Sequence, residues 1–168
     1  MYEKFGQFID GKWSTSSDKK TYDVINPATE EILGQASKAT PLDVDRALKS
    51  AEKGLQLWKK TPPWQRSNIL RKIADSIRKK KDIFAKWMTL ENGKPLAEGE
   101  AETNGTADIF EWNAEETKRI YGQTIESRFE DTRVHVYYQP VGVVAGLSPW
   151  NFPLILAARK ISTALAAG

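Results

Sequence analysis

The sequence contains no cysteine and only one histidine, His135. Without a thiol the chain has no thiolate nucleophile of its own, and one histidine alone gives no zinc ligand set, so no metal site is expected. Long apolar runs are also missing. None approaches the roughly 20 residues that cross a bilayer, and the opening MYEKFGQFIDG lacks the apolar core of a secretory leader. A cytoplasmic protein without membrane contact is the expectation. Charge of one sign is not in excess either: 25 basic against 22 acidic residues leave a formal charge of +3. The one basic run, Arg78-Lys79-Lys80-Lys81, falls at an expected helix end, where cations suit the dipole, and no aromatics interleave it. It reads as a solvated face, and no nucleic-acid partner is expected. Repeats, low-complexity tracts and flexible linkers are absent. Gly142 and Gly146 make no G-x-G-x-x-G fingerprint, and Gly93-Lys94-Pro95 lacks the Walker glycines.

What is present reads as a globular chain. Apolar residues make up 40% and charged residues 28%, and 168 residues fit one domain. Asp10-Gly11 between Phe8-Ile9 and Lys12-Trp13 is a two-residue hairpin signal. Tyr22–Ile25 and Glu31–Ala36 read as short strands around Asn26-Pro27. A first helix opens with Thr40 as cap, Pro41 at its first position and Asp43 in its first turn, with Val44, Ala47/Leu48, Ala51, Leu55 and Trp58 as its buried stripe. A second starts near Pro63, buries Ile69/Leu70, Ile73 and Ile77, and continues through Ile83/Phe84 and Trp87/Met88 to a stop at Asn92-Gly93. A third is expected from about Pro95 to Tyr121, with Ala97, Ala101, Gly105, Ile109 and Trp112 inward and Gly122 as its C-cap. Beyond it, Val134, Val136 and Tyr138 alternate with Arg133, His135 and Tyr137, a two-faced strand that Glu130-Asp131 could turn against Ile125–Phe129.

The stretch Pro140–Leu154 organises the rest. Val141, Val143, Val144 and Leu147 form a short apolar run fit for a buried parallel strand. Ser148-Pro149-Trp150-Asn151-Phe152-Pro153 breaks it. Leu154, Ala157, Ala158, Ile161, Ala164 and Leu165 then recur at helical spacing. Strand, rigid turn and helix place Asn151 at a strand's carboxyl end, where open α/β sheets bind ligands. From the residues alone, Asn151 is either a helix N-cap or a neutral donor aimed at a ligand.

SPWNFP followed by ARKISTALAAG closely resembles the NAD(P)-dependent aldehyde dehydrogenase superfamily. FIDGKW at 8–13, INPATEE at 25–31, TLENGKP at 89–95 and KRIYGQTI at 118–125 extend the resemblance over nearly the whole chain, in the family's order. It implies an α/β fold, the N-terminal part of a cofactor-binding domain. That part comprises short N-terminal strands, three to four helices and the start of a Rossmann-like parallel sheet, with an extended oligomerisation hairpin. Residues 1–122 would be the N-terminal part of that domain, 123–139 the hairpin, and 140–168 the first strand-turn-helix of the sheet. The catalytic domain would be absent.

By the same resemblance, Asn151 helps stabilise the oxyanion of a thiohemiacetal. Leu147, Ser148, Pro149 and Trp150, with Asn151, shape the wall against the nicotinamide half of NAD or NADP, while Phe152 and Ile155 border the aldehyde tunnel. The family's cysteine nucleophile and general-base glutamate match no position here, so the chain looks like the N-terminal third of an oxidoreductase and is expected to be inactive alone. The alternative is a truncated, non-catalytic oligomerisation or regulatory module. Within the family, GKPLAE at 93–98, AEETKRIYGQTI at 114–125 and the Arg159-Lys160 pair resemble succinate-semialdehyde dehydrogenases. In those enzymes the arginine matching Arg159 binds the far carboxylate of the substrate. The resemblance therefore implies a semialdehyde substrate and a homo-oligomer, dimer or tetramer. On periodicity alone Arg159 is either a surface arginine beside Lys160 or, if its helix is mostly buried, a residue needing an anionic partner.

Overall fold

Hairpin chemistry shapes residues 7–37. The computed structural model describes residues 6–168; the first five residues, part of the N-terminal stretch read above for a secretory leader, lie outside the described residues. Strands β1 (Gln7–Ile9) and β2 (Lys12–Ser14) pair antiparallel with Phe8 opposite Trp13. In the turn between them Asp10 and Gly11 have φ of 55° and 74°. Both positive values belong to the mirror-image turn whose twist suits a hairpin, and Asp-Gly is among its favoured pairs. Strands β3 (Thr21–Ile25) and β4 (Ile32–Ser37) form a second antiparallel pair, irregular at Val24/Ile25. Asn26 closes that loop: its amide donates to the Glu31 carbonyl at 2.9 Å and its side-chain oxygen accepts from Ala28 N at 3.0 Å.

Helix α1 (Pro41–Trp58) begins where its sequence signals stand. Thr40 and Asp43 make a reciprocal capping box, and the buried Asp43 carboxylate also accepts from Ser17 N at 3.1 Å. One side chain thus joins the helix start to the loop after β2. The backbone amide of Thr40, helped by that of Ser17, lowers the Asp43 carboxyl to about 2 against the opposing pull of burial. The expected stripe is less covered than its spacing implies. Val44, Leu48 and Ala51 are exposed, while Ala47, Leu55 and Trp58 are half-buried. Trp58 is held by its indole N–H, which donates to the Leu165 carbonyl at 2.8 Å.

Helices α2 (Pro63–Lys79) and α3 (Lys81–Asn92) are separated at Lys80, whose φ of −107° and ψ of 17° leave the helical region. Gly93 ends α3 in the left-handed conformation, as its position predicts. Helix α4 (Leu96–Glu116) is the central element, with α2, α3 and α5 (Pro153–Ala167) all packed against it. Leu70, Ala74 and Ile77 from α2, Ala107, Phe110 and Ala114 from α4, and Ala158 and Ala166 from α5 form the core. So much alanine lets the backbones approach closely. A Cβ added at Gly99 would stand 3.0 Å from the Ala85 carbonyl oxygen, which fixes glycine where α3 meets α4.

Three expectations are corrected here. The inward face of α4 carries Gly99, Glu102, Thr103, Thr106, Ala107, Phe110 and Ala114, while Ala97 and Ala101 are exposed and Trp112 is 70% exposed. The buried threonines satisfy their hydroxyls on their own helix, Thr103 on the Gly99 carbonyl and Thr106 on the Glu102 carbonyl. Hydropathy does not mark such a face. Secondly, α4 stops at Glu116 and passes into a 3-10 turn, Thr117–Arg119, because the Thr117 hydroxyl is pinned to the Ala166 carbonyl at 3.0 Å. Gly122 is therefore no C-cap; it lies against Val136, whose carbonyl oxygen would be 2.3 Å from an added Cβ. Thirdly, the run Val141–Leu147 forms no ladder. Val141 is 93% exposed, and the described strands make three separate two-stranded sheets, none of them parallel. A parallel strand needs neighbours on its edges, and none lies beside this run among the described residues. The expected α/β class holds as helices and short strands, without a parallel sheet.

The ribbon forms as its alternation predicts. Strands β5 (Gln123–Glu126) and β6 (Arg133–Val136) pair with Ile125 opposite Val134. Ion pairing of Arg133 with Glu126 at 2.9 Å and a 3.1 Å contact between Thr124 and His135 occupy its polar side. Among the described residues no helix is long and apolar enough to cross a membrane.

Asp43 sets an acid limit on this end of the molecule. Its pKa is lowered on folding, so the unfolded chain binds the proton more tightly. The stability it contributes is complete above about pH 4 and is lost as pH falls toward 2. Thermal unfolding between pH 5 and 2 is expected to show a smaller acid-induced loss of Tm for Asp43→Asn than for the parent; equal losses would contradict this.

Candidate active-site turn

Two prolines and a helix start shape the turn at 148–153. Pro153 occupies the first position of α5, where its missing N–H costs nothing. The N-cap residue is Phe152, with φ −133° and ψ 71°, and it supplies no side-chain cap. The first free amides of α5 must then find another acceptor. They find Glu102, whose Oε1 accepts from Leu154 N at 2.9 Å and Ile155 N at 3.1 Å. Capping is done from α4, across the helix interface.

Glu102 is buried and pairs through its other oxygen with the buried Lys94 ammonium. Lys94 belongs to the short link between α3 and α4. It also donates to the Asn151 backbone carbonyl at 3.0 Å and stands 4.0 Å over the Phe152 ring. From the end of α3, the Asn92 side-chain amide donates to the Trp150 carbonyl at 3.0 Å. Three side chains thus hold the carbonyls of Trp150 and Asn151 and the amides of Leu154 and Ile155. Removing one partner of such a buried ion pair costs about 3–5 kcal/mol, because the other charge is left without compensation.

Asn151 itself is exposed, and its side-chain amide makes no hydrogen bond among the described residues. The N-cap reading of Asn151 is overturned, since Glu102 fills that role. Leu147 and Trp150 are 84% and 81% exposed, and Ser148 and Pro149 are exposed beside them. Residues 147–151 therefore make one open strip. Phe152 leans back onto Lys94. Ile155 is half-buried against α4 at Gly105, where an added Cβ would meet its Cδ1 at 3.1 Å.

Arg159 is exposed, and no carboxylate lies within ion-pair distance of it among the described residues. The premise that its helix is mostly buried fails. The covered side of α5 runs through Ala158, Ser162 and Ala166, while Ile161 is exposed. The guanidinium is left as an unpaired cation about 9 Å along the helix from Pro153. Among the described residues, no group of three His, Asp or Glu side chains could hold a metal ion.

Asn92, Lys94 and Glu102 were not legible as site residues. Lys94 stands in a tripeptide without phosphate-loop glycines, and Glu102 is one of several carboxylates in a charged helix. The one available signal was an acidic residue three positions from Gly99 on a face otherwise made of small residues.

Comparison with known proteins follows from this geometry. Residues 13–168 match the model of the Aldehyde dehydrogenase family. Glutarate-semialdehyde dehydrogenase of Pseudomonas aeruginosa is 42% identical over 161 residues, covering 96% of this chain and 33% of that protein. The NADP(+) succinate-semialdehyde dehydrogenase of Escherichia coli is 41% identical over 160 residues, covering 95% and 33%. The crystal structure of an E. coli NADP-dependent enzyme superposes with a TM-score of 0.94 at 39% identity, covering 99% of this chain and 35% of that one. The chain spans about a third of the length of these relatives.

Proposed function

The chain belongs to the aldehyde dehydrogenase family, and from that premise we propose that the enzyme built on it oxidises a carboxylate-bearing aldehyde, succinate or glutarate semialdehyde, to the acid with NAD or NADP. The observation that carries the reading is Asn151: an exposed, unbonded amide on a turn whose backbone is held from α3 and α4. A neutral N–H donor fixed in this way suits an oxygen that gains negative charge during reaction. It needs no reorganisation at that moment, and a single such donor contributes about 3–4 kcal/mol. The nucleophile and the general base of the family match no residue of this chain. Its share of the chemistry is to hold the carbonyl oxygen and to wall the site.

The open strip fits one half of the cofactor. Leu147 and Trp150 present large apolar surfaces, with Ser148, Pro149 and Asn151 between and beside them, and a flat nicotinamide ring suits such a wall. When bound, the dinucleotide supplies a hydride acceptor. Phe152 and the uncovered part of Ile155 border the aldehyde passage. Arg159 would take the distal carboxylate. Its guanidinium is exposed and without an ion-pair partner among the described residues, and a bidentate pair suits a dicarboxylic semialdehyde but gives nothing to an alkanal. Two of the relatives carry glutarate and succinate semialdehyde in their names.

Residues 140–168 would act as the strand-turn-helix of a dinucleotide-binding sheet once parallel neighbours pair with 141–147. Residues 123–139 would serve as an assembly ribbon between copies of the enzyme, since Ile125 and Val134 stay exposed on a two-stranded hairpin that is marginal alone.

Three measurements on the full-length enzyme test these roles. Asn151→Ala is expected to slow single-turnover acylation about a hundredfold or more with dinucleotide affinity little changed; equal rates in mutant and parent would remove the oxyanion role. The parent is expected to prefer succinate semialdehyde over butanal in kcat/KM, and Arg159→Ala to lose that preference about tenfold or more with an unchanged Tm. A parent without preference, or a mutant that keeps it, overturns the substrate assignment. Glutamates at Val134 and Val136 are expected to shift sedimentation toward smaller species; an unchanged oligomer would refute the ribbon's role.

A further inference from the structure

An amide donor works only where its Cα–Cβ bond points, and that direction is set by the two peptide planes meeting at the Cα. At Asn151 both planes are held from outside the turn. The peptide before it carries the Trp150 carbonyl, which accepts from Asn92 at 3.0 Å. The peptide after it carries the Asn151 carbonyl, which accepts from Lys94 at 3.0 Å. Pro149 and Pro153 restrict the residues preceding them, yet neither proline fixes the ψ of Asn151. That torsion is left to Lys94.

Lys94 is in turn fixed by Glu102, whose two oxygens divide between the ammonium and the first amides of α5. A buried ion pair is a weak source of stability compared with apolar residues of the same volume. The pair here has a further use, because every remaining polar contact given for Lys94 and for the Glu102 carboxylate goes to residues 151–155. We propose that Asn92 and the Lys94–Glu102 pair are positioning residues for Asn151, fixing the peptide planes on either side of it so that its amide meets the reacting oxygen. The proposal rests on the oxyanion reading of Asn151.

The test is a double-mutant cycle in the full-length enzyme, read by single-turnover acylation, dinucleotide Kd and Tm. Lys94→Met combined with Glu102→Gln removes both charges together, so none is orphaned, and keeps an oxygen for Leu154 N and Ile155 N. Asn92→Ala, at a half-buried helix end, removes only the hold on Trp150 and covers the case in which the paired variant fails to fold. Each is expected to slow acylation, the paired change by about tenfold to a hundredfold, with Kd within about twofold of the parent. In an Asn151→Ala background neither is expected to slow it further. A merely structural role would slow both backgrounds equally. That result, or an unchanged rate when these variants are made with Asn151 intact, overturns the positioning role while leaving Asn151 as donor. If Asn151→Ala alone does not change the rate, the oxyanion reading falls and the positioning role falls with it.

Discussion

A carboxylate taken out of water between two helices must be surrounded by donors, and the arrangement around Glu102 follows from that requirement. One oxygen takes the Lys94 ammonium, and the other takes two amides of α5. Satisfying it places the α3–α4 link, the centre of α4 and the start of α5 in one fixed relation. The Lys94 ammonium then has donors left, and they go to the turn. The alanine-rich contacts of α2, α4 and α5 bring the helices close, but alanine faces slide easily. The buried charges define which sliding position is the native one, a use of buried ion pairs for register.

Local rules carried much of the fold. Asp10-Gly11, the Thr40 cap and Gly93 each work through backbone geometry within a few residues, and each appears where the sequence puts it. The face of α4 was misread because its burial is chosen by the fit of glycine and threonine against neighbouring helices, which periodicity of apolar residues does not register. The run 141–147 was read from composition alone, whereas a strand is a relation between two segments. The helix carrying Arg159 was read as mostly covered from the apolar residues around it, although adjacent positions on a helix point in different directions. Asn151 was legible as a candidate because prolines flank it. What holds it was not, because Asn92 and Lys94 lie 58 and 57 positions before the carbonyls they hold.

Exposed large apolar side chains occur on every strand and helix, among them Val44 and Leu48 on α1, Val141 and Leu147 in the run before the turn, Trp150 in it, and Ile125 and Val134 on the ribbon. A cavity of about 370 Å3 lies between Ala51–Trp58 of α1, Gly142–Val144 and the end of α5. The buried core cluster is built from α2, α4 and α5, and none of its residues comes from α1, 141–147 or the ribbon.

Glu102 also determines what the start of α5 can offer. Helix starts elsewhere collect phosphates, because free amides and the helix dipole leave about half a positive charge there. At α5 those amides are already taken by Glu102, whose charge is compensated by Lys94. A diphosphate arriving at this helix would find those two amides already bonded. The capping carboxylate leaves α5 without the free amides that draw anions to other helix starts, and the exposed donor of the turn is the neutral amide of Asn151.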